Sequence, residues 1–467
     1  MRRFVLATLL VLMATGATLV YQAVAREREY RDLISQADER LAAADAAGAI
    51  EALSGAIALR PSAMLAWLLR GETYRQRGDV AAAVRDLRKA VELAPTTTTA
   101  IERLGDAWFS LERHAKAADQ FEAYLVLDDR NPRVFYKLAL ARFHEGYPDR
   151  AEAAVKRALA LDADLPEAHH LLGLCCLRQK RVDEAVTSLA RAVELAPALV
   201  PAREELARLY GTQRRQAEEI RQLETLAGLE GDRVHRHTAL ATAYAAAGRT
   251  DLAIQVLARA TERFADAPDI DVTLGRVWLE IAEGTGDRVA LGKALEALSR
   301  AVTRIDSSEA LTLYGRALLR ANDRSRSLAL LRQAALRFPV AADTHRLLAD
   351  AAERSGNLQL ARDALRADAA LHAAEEPPQA TAQRAVRLAR LAGRLDDSRD
   401  AAFWYGKALE AQPGAADLAE RMVDAQLRAG LVDEAQQAVA RELARRPGDR
   451  GLLVLQARVE AARSASR

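Results

Sequence analysis

The residues best equipped for chemistry stand in adjacent pairs. His169-His170 precede Cys175-Cys176, the only cysteines in the chain. Imidazole and thiolate are zinc donors, but Leu174, one helical turn beyond His170, cannot ligate, and neither a CxxC nor an HExxH spacing occurs. Neighbouring cysteines on one helix are also badly placed to bond each other, so packed apolar thiols are expected. Glu204-Glu205 and Asp396-Asp397 have the composition of acid–base pairs, yet arginines flank both and solvated helix surface is the expected role. The stretch 286–294, GDRVALGKA, invites a phosphate-loop reading. That loop needs four residues between its glycines and a Ser or Thr after the lysine; here five intervene and Ala294 follows Lys293. No catalytic, cofactor-binding or metal site is expected.

Composition narrows the classes further. Half of the 467 residues are apolar, 28% are charged and only 5% are aromatic. Arg2 and Arg3 supply the whole net charge of +2, so residues 26–467 are neutral and lack the electrostatic footprint of a nucleic-acid binder. Two cysteines exclude a disulfide scaffold and a four-cysteine zinc site.

The N-terminus has the pattern of a leader. Arg2 and Arg3 precede Phe4–Ala25, a run of 22 residues without a charge. As a helix this run would extend about 33 Å, enough for a hydrocarbon core of roughly 30 Å. Ala23-Val24-Ala25 also has the small-x-small form of a signal-peptidase site. Residues 1–25 are therefore expected to be a signal-anchor or a cleavable signal peptide. The first reading gives a single-pass inner-membrane protein with its body in the periplasm; the second gives a soluble periplasmic one.

The elements that carry these residues repeat. Ala37, Gly71, Gly105, Ala139, Gly173, Ala207, Ala241 and Gly275 follow one another at steps of 34 residues, and Gly315, Ala349, Ala389 and Val423 continue the series after longer steps. A second small-residue series lies twelve positions on, at Ala49, Ala83, Ala117, Ala151, Ala185, Ala253, Ala361, Ala401 and Ala435. Prolines close several units, at Pro61, Pro95, Pro197, Pro339, Pro413 and Pro447. Each unit reads as two short amphipathic helices with apolar spacing of three and four. A pair that short cannot bury its apolar face alone, so consecutive pairs must stack.

Trp67, Gly71, Tyr74, Ala83, Leu87, Ala90 and Pro95, then Leu104, Gly105, Trp108, Ala117 and Phe121, resemble the tetratricopeptide repeat, W-x2-L-G-x2-Y, A-x3-F, P. The resemblance covers nearly all of residues 30–449. It implies an all-α fold, a right-handed superhelical solenoid of about twelve helix pairs behind one N-terminal apolar helix. The expected domains are a solenoid of about ten repeats over 26–373 with a loop insertion near 283–289, a bend at 374–381, and two further units plus a capping helix over 382–467.

The resemblance also implies a concave groove lined by the first helix of each unit. Tyr136, Leu140, Phe143 and His144, then His170, Leu174 and Leu177, fall at its groove positions as an apolar, aromatic patch. Arg208, Arg276, Arg316 and Arg346 recur at groove positions further on. Arg384, Arg387, Arg390 and Arg394 form one helical stripe, an expected strip for an anionic ligand. The expected function is a non-catalytic, membrane-tethered protein-interaction scaffold in bacterial envelope assembly or export. The alternative is a periplasmic peptide-binding adaptor or chaperone, for example in c-type cytochrome maturation. The expected partner is a protein or peptide, with the N-terminal helix in a membrane and no nucleic acid bound.

Overall fold

The structure is a computed structural model that describes residues 2–372 and 377–465; side chains are described from Met13 onward, except those of residues 14 and 16. Every element among these residues is helical, and the chain divides into two compact units, 1–229 and 230–467.

The first unit contains α1 (Arg2–Ala42), α2 (Ala46–Leu59), α3 (Met64–Arg77), α4 (Val80–Leu93), α5 (Thr98–Ser110), α6 (His114–Leu127), α7 (Pro132–His144), α8 (Pro148–Leu161), α9 (Pro166–Arg178), α10 (Val182–Leu195), α11 (Val200–Thr212) and α12 (Gln216–Leu229). The second contains α13 (Val234–Ala246), α14 (Thr250–Arg263), α15 (Pro268–Thr285), α16 (Arg288–Val302), α17 (Ser308–Arg320), α18 (Arg324–Ala334), α19 (Thr344–Arg354), α20 (Leu358–His372), α21 (Pro378–Arg394), α22 (Ser398–Ala411), α23 (Ala416–Arg428), α24 (Val432–Arg445) and α25 (Arg450–Ala465). Twelve successive pairs, α1/α2 to α23/α24, precede α25 among the described residues.

Local sequence explains the helix ends. Asn131 caps α7 by accepting from the backbone N–H groups of Arg133 and Val134, and Pro132 starts the helix where no N–H is needed. Gly78 ends α3 in the left-handed conformation at φ 91°.

Packing follows the small-residue series. A methyl group placed on Gly105 would lie 2.6 Å from Cε1 of Phe121, and one on Gly71 2.8 Å from Cγ of Leu87. At these glycines, as at Gly173, Gly275 and Gly315, the first helix of the pair receives a large apolar side chain from the second where no Cβ fits. Ala83, Ala117, Ala151 and Ala185, on the second helices, are fully buried.

One expectation is corrected. Among the described residues no helix is long and apolar enough to cross a membrane. Residues 1–12, 14 and 16 of the leader lie outside the described side chains; in the rest of α1, Arg26, Glu27, Arg28 and Glu29 follow Met13 about four turns later. Helix α1 runs on unbroken into the first pair, where Tyr30 and Ala37 are buried, so the leader is not a separate helix. The single-pass inner-membrane placement falls with the span. At 283–289, where a loop insertion is expected, residues 286–287 separate α15 from α16. The extra residues lengthen α15 to 18 residues, up to the left-handed Gly286, and Asp287 caps α16 by accepting from the Val289 N–H at 2.7 Å. No proline interrupts the run before Gly286, so the added residues continue the helical hydrogen bonding. Of the bend expected at 374–381, residues 374–376 lie outside the described residues, and Pro378–Thr381 form the start of α21.

Candidate functional site

In the first unit, α7 presents Tyr136 half-buried in a cleft of about 330 Å³. Phe109 on α5, Leu140 on α7 and Phe121 on α6 supply its apolar lining. Burial, and then the neighbouring charge of Glu167, push the Tyr136 hydroxyl above its ordinary pKa. The charged wall of this cleft is internally neutralised. Lys137 Nζ donates to Glu102 at 2.6 Å and to Asp106 at 2.9 Å, Arg103 approaches Asp106 at 3.7 Å and Glu72 at 3.9 Å, and Arg75, also in the lining, donates to Glu72 at 3.0 Å, so three cations meet three carboxylates.

Phe143 and His144, at the end of α7, join a ring cluster instead. His144 stacks on His114 with centroids 5.0 Å apart, Phe109 stands edge-on to both, and the Arg178 guanidinium lies 5.6 Å from the Phe143 ring. Burial, and then the charge of His114, hold the His144 imidazole below its ordinary pKa. Tyr136, Leu140 and Phe143 also pack against the buried cluster around Phe121, Leu138 and Val155. His170 and Leu174 are half-buried on α9, and burial lowers the His170 pKa. Leu177 packs against a different cluster, around Leu189 and Leu206. The seven groove residues are therefore distributed over a cleft, a ring cluster and the next packing layer. Sequence reasoning missed Phe109, His114 and Lys137. The available signal was the 34-residue register, which sets a residue of one first helix beside the first helix of the repeat before it.

Cys175 and Cys176 are both free and buried, and burial pushes the Cys175 thiol up to about 12. That thiol stays protonated and unreactive at neutral pH.

In the second unit the arginine stripe of α21 is divided. Arg384 is largely buried and pairs at 2.8 Å with Asp368 of α20, whose side chain is only 4% exposed. Arg387 spans Asp350 at 2.6 Å and Glu353 at 2.9 Å, both on α19. Arg390 and Arg394 are exposed. The aspartates flanking the stripe in sequence serve other arginines: Asp397 takes Arg362 at 3.1 Å, and Asp400 takes Arg366 at 2.6 Å. The other groove arginines are paired as well, Arg208 with Glu205, Arg276 with Glu309, Arg316 with Glu283 and Arg346 with Asp343. The longer α15 is what brings Glu283 within reach of Arg316 and Arg320.

Three segments, residues 34–98, 136–199 and 313–375, match the family model of the tetratricopeptide repeat. No curated protein matches the chain. Among solved structures, the chain is similar to a MamA protein at 25% identity, covering 36% of this chain and 92% of that one with a TM-score of 0.35. It is similar to YrrB, described as a TPR protein with an unusual peptide-binding site, at 22% identity over 40% of this chain and 96% of that one, TM-score 0.34. A tetratricopeptide repeat protein from Parabacteroides merdae is 14% identical over 69% of this chain and 98% of that one, TM-score 0.37. The chain carries tetratricopeptide repeats, and in each of its two units the described residues form successive helix pairs of that type.

Proposed function

We propose that this protein is a non-catalytic scaffold that binds protein segments, and that the first unit takes an apolar stretch of a partner beside Tyr136, as an amphipathic helix or extended peptide. Tetratricopeptide repeats are protein-interaction modules, which supports the general reading. The observation that carries the specific one is the half-buried Tyr136 in a cleft beside which Lys137, Arg103 and Arg75 balance Glu102, Asp106 and Glu72. A neutralised wall adds no net field, so an apolar segment can enter without leaving a buried charge unpaired. The described residues contain no membrane span to support the envelope role expected from the leader.

The test uses a displayed peptide library selected on the full chain. Selected sequences should be amphipathic or apolar. Replacing both Tyr136→Ala and Phe143→Ala should weaken their binding at least roughly thirtyfold, the equivalent of about 2 kcal/mol for an aromatic anchor. Circular dichroism should show the helical fold retained. Unchanged binding by the folded double variant sinks the assignment; unfolding would show instead that these rings are stacking core.

A further inference from the structure

The second unit has a cleft of about 460 Å³ between α21 and α23. Val386 and Leu418 give it apolar lining, Gln383 and Gln412 contribute amides, Arg387, Arg390 and Arg421 contribute guanidinium groups against the single carboxylate of Asp417, and Arg390 and Arg421 are exposed at its wall. These two arginines differ from others on the first helices of the unit's pairs. Arg276, Arg316, Arg346 and Arg387 each hold a carboxylate. Arg390 has no ion pair among the described residues, and Arg421 has only the 3.9 Å approach of Asp417.

We propose that this cleft binds an acidic segment of a partner protein, with Arg390 and Arg421 taking its carboxylates and the Val386–Leu418 lining taking an apolar side chain between them. Charge complementarity carries the assignment. A guanidinium presents a planar fork that matches a carboxylate, and charge-assisted bonds of this kind are the strong ones. The structure spends Arg384 and Arg387 on Asp368, Asp350 and Glu353, which leaves the uncompensated charge at Arg390, directly on the cleft. A nucleic acid fits this surface poorly. Asp417, Glu420 and Asp424 alternate with the arginines along α23, so a continuous phosphate chain would meet like charges every turn or so. A short peptide that alternates acidic and apolar side chains meets only Asp417 in the cleft, which lies 3.9 Å from Arg421. The site lies in the second unit and does not depend on the cleft beside Tyr136.

The experiment measures fluorescence anisotropy of a labelled peptide of alternating glutamate and leucine against the full chain at low ionic strength. A lysine-for-glutamate peptide and a single-stranded oligonucleotide of equal charge to the glutamate peptide serve as comparison probes. The glutamate peptide should bind, and its affinity should fall as salt is raised. Arg390→Glu or Arg421→Glu should each weaken it at least about tenfold, and Arg390→Gln should weaken it in the same direction. The Tyr136→Ala, Phe143→Ala double variant should bind it as the parent does. Both arginines are exposed, so the fold should survive, which circular dichroism checks. Equal binding of the glutamate and lysine peptides, indifference of the affinity to all three arginine variants, or tighter binding of the oligonucleotide overturns the proposal.

Discussion

Gly173 on α9 faces Leu189 on α10 so closely that a methyl group on the glycine would lie 2.6 Å from Cγ of the leucine. Leu189 is fully buried, and the Ala185 carbonyl oxygen stands 3.3 Å from the same point, so neither the side chain nor the backbone can yield freely. Gly173→Leu should therefore overpack the pair and cost about 1–3 kcal/mol. Urea unfolding would show it as a lowered midpoint; an unchanged midpoint contradicts the closeness of this contact.

Arg384 and Arg394 lie on the same helix but should behave oppositely. Arg384→Ala leaves the buried carboxylate of Asp368 without its guanidinium, a change that typically costs about 3–5 kcal/mol. Arg394 is exposed, and its replacement by alanine should stay within about 0.5 kcal/mol of the parent. Thermal melts of the two variants side by side check this, and equal losses would contradict the division of the stripe.

Glu152 should make the first unit acid-sensitive. Its burial opposes ionisation, but hydrogen bonds from Arg181, Lys156 and Gln179 outweigh that and hold the carboxyl at about 2. A lowered folded pKa means that the unfolded chain binds the proton more readily. The stabilisation is therefore complete above the ordinary value of 4.5 and is lost as pH falls toward 2. Glu152→Gln should lower the melting temperature by a few degrees at pH 7, with the difference from the parent shrinking steadily below pH 4.5. A difference independent of pH would mean that Glu152 acts by packing alone.

The imidazoles set a separate window. Burial holds both His144 and His170 below their ordinary value of 6.5, with His114 adding to the effect at His144 and Glu205 opposing it at His170. Protonation is easier in the unfolded chain, so this contribution to stability is present above pH 6.5 and declines on acidification toward the folded values. Titration of the imidazole protons by nuclear magnetic resonance should place both below 6.5, and His144→Gln should flatten part of the stability change across that window. A His144 value at or above 6.5 contradicts its burial in the ring cluster beside His114.

The order of the helices and the contacts within each pair were legible in the chain itself. A 34-residue spacing of Gly and Ala marks recurring points where helices lie close, and Gly105 on Phe121 or Gly173 on Leu189 is that approach at the glycines. Such contacts join residues of one repeat, so periodicity alone encodes them. The surface is another matter. Whether Arg384, Arg387, Arg390 and Arg394 act as one stripe depended on which carboxylates α19 and α20 bring against them, and those lie in the preceding repeat, outside any pattern within α21. The ring cluster of Phe109, His114 and His144 likewise joins three helices from two repeats. The insertion at 283–289 carried no mark of its conformation, because two glycines can open a loop or end a helix; the unbroken hydrogen bonding of α15 decided it and placed Glu283 beside Arg316. Sequence by itself determined the repeat, since the close approaches that define it lie within a unit. Only the tertiary structure decided which charges remain free to bind, since ion pairs between neighbouring repeats depend on distances that a periodic pattern does not specify.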